Sequence, residues 1–277
     1  MRSPKIPILT YHSAQVDGMD YGANDHQALA TDLELIAEEG FRVVPLSWVV
    51  EWLRGERSSA DLQDAVAITF DDGCSMDFWD MDHPRWGRQR SFCNILRDFR
   101  DAHASSQPHV HATTFVIASP ATRRALGANL PGLEWISDDW WAEAARSGLM
   151  AVENHSWDHN HPLSPVVCQR EQVKGRFDNI DTFAECEAEV VPAGEYIAAR
   201  AGVRPTLFAY PWGQASDYFV NEYFPRNAAR HGCRAAFTAH DGIVTSSVSL
   251  WAIPRLVFRA NWSTCDELKG LLLSARS

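Results

Sequence analysis

Short apolar runs alternate with longer stretches of helical period along almost the whole chain, and this rhythm constrains the fold more than any other feature. Strands separated by helices cannot be joined as hairpins. Each crossover brings the next strand back in the same direction, so the strands lie parallel in one sheet covered by helices. "IPILTYH" (6–12), "FRVVPL" (41–46), "DAVAITF" (64–70), "ATTFVIAS" (112–119) and "LMAVENH" (149–155) read as strands. So do "TLFAYPWG" (206–213), "RAAFTA" (234–239) and "LWAIPRLVF" (250–258). A helix is expected over 25–39, where Leu29, Leu33 and Ile36 share a face and Gly40 ends the run. Others are expected from a Ser47 N-cap, in "NILRDFRDAH", over 136–148 with Gly148 at its end, over much of 182–201, between the strands at 206–213 and 234–239, and at the C-terminus. About seven parallel strands follow, in an open or barrel-closed α/β sheet. No internal repeat or Gly/Ser linker divides residues 1–277, which are expected to form a single domain.

At 45% hydrophobic residues the chain has ample material for a large core. The formal charge of −11 argues against nucleic acid as a partner, because phosphate binding needs a basic surface, and against adsorption to anionic membranes. "MRSPKIPILTYHSAQ" lacks a usable apolar h-region, so no leader, membrane insertion or lipid anchor is expected, and the protein is expected in the cytoplasm. Cys74, Cys93, Cys168, Cys186, Cys233 and Cys265 are scattered without a C-x-x-C pair, as befits reduced, mostly buried thiols rather than a structural zinc site.

The unusual polar residues collect at the C-terminal ends of the expected strands: His12, Asp71 with Asp72, His155 with His159, and Tyr210-Pro211. Active sites of parallel α/β barrels occupy that face. Two adjacent carboxylates repel unless something positive lies between them. In "TFDDG" both can serve one site only if the chain leaves strand geometry, which Gly73 makes easy. In "ENHSWDHNHP" the four-residue interval of His155 and His159 would place both imidazoles on one side of a helical turn. Two neutral imidazoles and a carboxylate are a recurrent donor set for a catalytic divalent metal. His161 is a rival to His159 as the third ligand.

"TFDDG" followed by "HSWDH" resembles the two leading motifs of the polysaccharide deacetylase family, the NodB-homology carbohydrate esterases. The resemblance runs in looser form from "LTYHS" to "IPRLVF". It implies a distorted (β/α) barrel, one divalent metal ion (usually zinc, with cobalt, nickel or manganese as alternatives), and hydrolysis of an N-acetyl group from an amino sugar. Carried over, Asp72, His155 and His159 match the metal ligands and Asp71 the catalytic base. "FAYPWG" resembles the third motif but lacks the arginine that orients the base, and no histidine follows His240 to supply the usual C-terminal acid. "LTYHS" resembles the permuted branch that acts on poly-N-acetylglucosamine, which would make His12 the general acid.

On this reading the backbone N–H of Tyr210 would help hold the oxyanion, beside Pro211 and Trp212. Trp79, Trp86, Trp157 and Trp212 are candidates for stacking on sugar rings. "MDHPRWGRQR" (81–90), with His83, Trp86 and three arginines, could grip an anionic handle such as a diphosphate, or be a solvated loop. The substrate is expected to be a glycan or a nucleotide- or lipid-linked amino sugar of surface polysaccharide synthesis. The same site could instead remove a formyl group or open a cyclic ureide. A carbohydrate-binding protein that has lost catalysis is the reading from another class.

Overall fold

The computed structural model describes residues 3–131, 135–165 and 174–276. Its strands are β1 (Ile8–Tyr11), β2 (Arg42–Val43), β3 (Ala65–Phe70), β4 (Met81–His83), β5 (Gly87–Gln89), β6 (Ala112–Val116), β7 (Met150–Asn154), β8 (Leu207–Ala209), β9 (Ala235–Phe237) and β10 (Leu256–Val257). The helices are α1 (Asp25–Glu38), α2 (Leu46–Leu53), α3 (Phe92–Ala102), α4 (Pro120–Gly127), α5 (Trp141–Arg146), α6 (Phe183–Ala201), the short α7 (Phe224–Arg226) and α8 (Ala228–His231), and α9 (Cys265–Arg276). Seven strands run parallel in the order β10-β1-β3-β6-β7-β8-β9, with β2 added on β3. A parallel bridge from Phe237 to Ile253 ties the two ends of this series together. The sheet therefore curls into a distorted barrel of the expected NodB type.

Strand period 2 sorts the side chains. Ala65 and Ala67 of β3 point into the barrel with Ile8, Ala209, Ala235 and Phe237, while Val66, Ile68 and Phe70 pack outward against the helical layer. Small inward residues let the strands close tightly, and bulky outward ones anchor α1, α3 and α9. α1 starts at Asn24, whose side chain accepts from the His26 backbone N–H at 2.9 Å. It ends as expected at Gly40, where Gly40 N–H and Phe41 N–H cap the Ala37 and Ile36 carbonyls.

Several expected elements differ. α2 starts at Leu46 after Pro45, so Ser47 lies inside the helix rather than capping it. The helix foreseen over 136–148 shortens to α5, and only Leu256–Val257 of 250–258 joins the ladder. α4 was not foreseen, although Ser119 caps it and Pro120 occupies its first turn. The loop at 74–90 contains a hairpin, β4–β5. Cys168 lies outside the described residues; the other five cysteines are free thiols, four of them buried.

Candidate active site and metal centre

The inward side of β1 runs Ile8, Thr10, His12, and that of β3 runs Ala65, Ala67, Thr69, Asp71. Thr10 and Thr69 meet across the ladder with their hydroxyls 2.8 Å apart. One step further, at the C-terminal mouth, His12 and Asp71 line a common cavity of about 590 Å³. Past Phe70 the backbone turns left-handed at Asp72 (φ +72°) and Gly73 (φ +73°), which carries Asp72 into the same cavity. A Cβ on Gly73 would lie 2.7 Å from Val116 Cγ1, so only glycine permits this turn. The departure from strand geometry that "TFDDG" required is thus observed.

The histidine segment does not form the expected helical turn. Ser156, His159 and Asn160 have φ values of +70°, +61° and +46°, and the loop's amides are tied by side-chain oxygens. Asn154 accepts from Ser156 N–H at 2.8 Å, Ser156 Oγ from His159 N–H at 2.9 Å, and the buried Glu189 of α6 from Trp157 N–H at 3.2 Å. The result still brings the His155 and His159 rings to 4.8 Å. His155 Nδ1 is 2.8 Å from the Ala209 carbonyl, which fixes Nδ1 as the protonated nitrogen and aims the Nε2 lone pair at the carboxylates.

Asp72 Oδ1 lies 3.7 Å from His155 Nε2 and 3.5 Å from His159 Nε2. These separations are too long for hydrogen bonds. They are close to the ~3.3–3.4 Å between neighbouring donors of a tetrahedral ion held at about 2.0–2.1 Å. Asp72, His155 and His159 form the one group among the described residues whose donor atoms could converge on a metal. The donor set of one carboxylate and two imidazoles fits zinc chemistry. His161 stands apart from that group: its Nδ1 accepts from Leu163 N–H at 3.1 Å and its ring stacks on Trp212 at 5.6 Å. Burial lowers the pKa of His159 well below the usual imidazole value, which keeps it a neutral donor.

The missing arginine comes from elsewhere in the chain. Arg255, just before β10 and with none of its surface exposed, donates from Nη1 and Nη2 to the two Asp71 oxygens at 2.7 and 2.8 Å. Its Nε reaches the Thr238 carbonyl at 3.2 Å, and its guanidinium lies over Phe115. Burial alone would raise the Asp71 carboxyl. The guanidinium, with His155 beyond it, overrides this and holds it well below the usual carboxylate range. No motif spacing places Arg255 beside Asp71, since the resemblance puts the arginine in "FAYPWG"; the signal in the sequence is the single charged residue inside the apolar run "LWAIPRLVF".

The other sequence candidates separate. Pro211 and Trp212 form a tight turn in which Trp212 has φ +59° and is 44% exposed over the cavity, 4.7 Å from His159. Tyr210 is buried in the aromatic layer behind, and its backbone N–H donates to the Phe237 carbonyl at 2.9 Å. That donor is engaged in the barrel ladder and is not available for the expected oxyanion role. His83 faces the β4–β5 turn, accepting from the Arg85 and Trp86 amides at 3.2 and 3.1 Å, and Trp157 packs on Tyr196. Neither lines the cavity, and neither do Trp79 and Trp86. Arg88 pairs with Asp82, and Arg90 with Asp98 and Asp80, so two of the three arginines expected to grip an anion are held by the chain's own carboxylates. Leu126 and Leu130 around α4, with Ile136, give the cavity an apolar wall, and Gln15 and Asn129 add polar groups to its lining.

No helix among the described residues is long and apolar enough to cross a membrane. A poly-β-1,6-N-acetyl-D-glucosamine N-deacetylase of Escherichia coli K12 is 24% identical over 270 residues, which is 91% of this chain and 36% of that protein. The chain thus spans about a third of the length of the curated relatives it matches. The Streptococcus pyogenes deacetylase PplD, solved with acetate, superposes with a TM-score of 0.66 at 18% identity, covering 98% of this chain and 99% of PplD. IcaB from Ammonifex degensii gives 0.65 at 18% identity, covering 100% and 99%. These two likenesses establish the barrel. The sequence profile described as polysaccharide deacetylase matches residues 59–235, well over half the chain and including Asp71, Asp72, His155 and His159, so the chain belongs to the polysaccharide deacetylase family.

Proposed function

We propose that this chain hydrolyses the N-acetyl group of an amino sugar in a glycan, releasing acetate and leaving a free amine, and that it does so with one divalent metal ion, zinc first among the choices. The observation that carries the reading is the buried Asp71–Arg255 pair beside the Asp72, His155 and His159 donors. A protein that only bound sugar would have no use for a carboxylate held ionised next to a metal-binding triad.

Asp72, His155 and His159 would hold the ion. A cation there supplies Lewis acidity, which favours ionisation of water and polarises an amide carbonyl. Asp71, oriented by both arms of Arg255, accepts a proton from the attacking water. The oxygen adds to the acetamide carbon. As the C–N bond breaks, protonated His12 on the β1 side donates to the departing nitrogen, and acetate and the amine leave with protons balanced. Trp212, stacked on His161, offers a face for the apolar side of a pyranose ring. The E. coli relative makes β-1,6-linked N-acetylglucosamine oligomers the first substrate to assay.

The test is acetate release from such oligomers by the zinc-loaded protein, by the chelated protein, and by Asp71→Asn, with formate and ureide hydrolysis assayed alongside. Acetate release lost on chelation and in Asp71→Asn supports the proposal. Sugar binding insensitive to chelator and without turnover refutes it in favour of a binding protein; formate or ureide turnover refutes the acetyl specificity.

A further inference from the structure

A second cavity, of about 580 Å³, shares α4 and Ile136 with the catalytic one. α4 gives Leu126 to the catalytic cavity and Arg123, Arg124 and Gly127 to this one, which is completed chiefly by Asp138, Tyr196 and Arg200. In a chain of net charge −11, three guanidiniums and a single carboxylate line one concavity, leaving two positive charges in excess.

That carboxylate is heavily shared. Asp138 Oδ2 accepts from Arg123 Nη2 at 2.8 Å and from the Tyr196 hydroxyl at 2.6 Å, and Arg200 Nε lies 3.5 Å away. Arg123 is buried, its guanidinium between the Trp141 and Tyr196 rings at 4.9 and 5.5 Å, and its Nε is enclosed without a hydrogen-bond acceptor. Burying a guanidinium is costly unless it is paired and its donors satisfied. Here the compensation is partial. Arg124, exposed on the next position of α4, has no carboxylate within 4 Å among the described residues. The site therefore holds more positive charge than its one carboxylate offsets, with the Tyr196 ring on its wall and room for a sugar residue.

We propose that this cavity is a binding subsite for an anionic sugar, a pyranose carrying a carboxylate or a phosphate, which lies next to the acetamido sugar in the catalytic cavity. This rests on the deacetylase reading for its place in the substrate, and adds that the natural glycan carries an oxyanion near the group being cleaved. The chemistry of recognition is common to both anions: forked guanidinium donors on planar or tetrahedral oxygens, with Tyr196 beside the ring.

The experiment is calorimetric titration of the full chain with glucose, glucuronate and glucose 6-phosphate at low salt. It is run on the wild type, on Arg124→Gln/Arg200→Gln, whose replaced side chains are solvent-facing, and on Asp71→Asn, which leaves this cavity untouched. At least one anionic sugar should bind ten times or more tighter than glucose, and the arginine double variant should lose that advantage. A preference for glucuronate identifies a carboxylate, and one for glucose 6-phosphate a phosphate. Equal binding of all three sugars, or anion binding unchanged in the double variant, overturns the subsite. Because Asp71→Asn should bind the anionic sugar as the wild type does, loss of deacetylation and loss of this subsite are read separately.

Discussion

Replacing Arg255 by Met isolates the interaction on which the catalytic reading depends. Met fills much of the arginine stem's volume, so the loss is mainly of charge and of the two donors on Asp71. With Arg255 wholly buried and Asp71 nearly so, the variant leaves an uncompensated carboxylate, which costs about 3–5 kcal/mol. Asp71→Asn/Arg255→Met removes both charges and should recover most of that loss, giving a coupling energy of several kcal/mol between the two sites. Urea unfolding of the four corners of this cycle, on chelated protein at pH 7, measures it.

The pH dependence has a definite sign. In the wild type the folded-state pKa of Asp71 lies below its unfolded value of about 3.9, so the carboxylate's contribution is present above that pH and is lost as pH falls through the folded value. In Arg255→Met the charge and both donors of the guanidinium are gone and burial outweighs the remaining pull of His155 and His12, so the folded pKa lies above the unfolded one, the ionised form destabilises and the penalty is relieved on acidification. The stability gap between the two proteins must therefore widen as pH rises through the acid range. Acetate release by the variant should fall about a hundredfold or more, with its acidic limb moved to higher pH, because the base is both misoriented and harder to ionise. A variant within about 1 kcal/mol of wild type, or single and double variants of equal stability, would refute the argument.

Gly73→Ala places a Cβ 2.7 Å from Val116 Cγ1 at a left-handed residue and should cost about 2–4 kcal/mol in urea unfolding. Gly55→Ala, equally left-handed but with open space around it, should cost only about 1 kcal/mol. Asp77, buried under the site and accepting from Ser13 and Thr114, has its pKa pushed up to about 7 by burial. Its folded value exceeds the unfolded one, so it opposes folding increasingly from about pH 4 to pH 7 and fully above that. The stability of wild type relative to Asp77→Asn should accordingly improve by up to about 2–4 kcal/mol between pH 8 and pH 4, and a flat difference would contradict the burial argument. Trp212→Ala should raise KM for the oligomer about five- to tenfold with little change in kcat, the mark of a residue that binds the sugar ring without touching the reacting atoms.

Strand parity made much of this site legible in advance. Because side chains alternate with period 2, the inward series Ala65, Ala67, Thr69 already commits Asp71 to the barrel mouth, and Ile8, Thr10 does the same for His12. What parity cannot convey is which distant residues the closure of the sheet brings together. Arg255 reaches Asp71 because Leu9 of β1 lies between Leu256 and Ile68 in the ladder, an adjacency fixed by barrel register and not by any local motif. The same register removes Tyr210 as an oxyanion donor, since β8 and β9 stand side by side and the Phe237 carbonyl takes its amide proton. The histidine pair illustrates the other limit. A four-residue interval is equally served by a helical turn or by a run of left-handed residues, and Asn154, Ser156 and Glu189 select the second by satisfying its amides with side-chain oxygens. Motif spacing thus identifies which residues meet. The polar groups that hold them in those strained conformations come from the end of β7, from α6 and from Ser156 in the loop itself, and substitutions there should disturb the site without touching a catalytic residue.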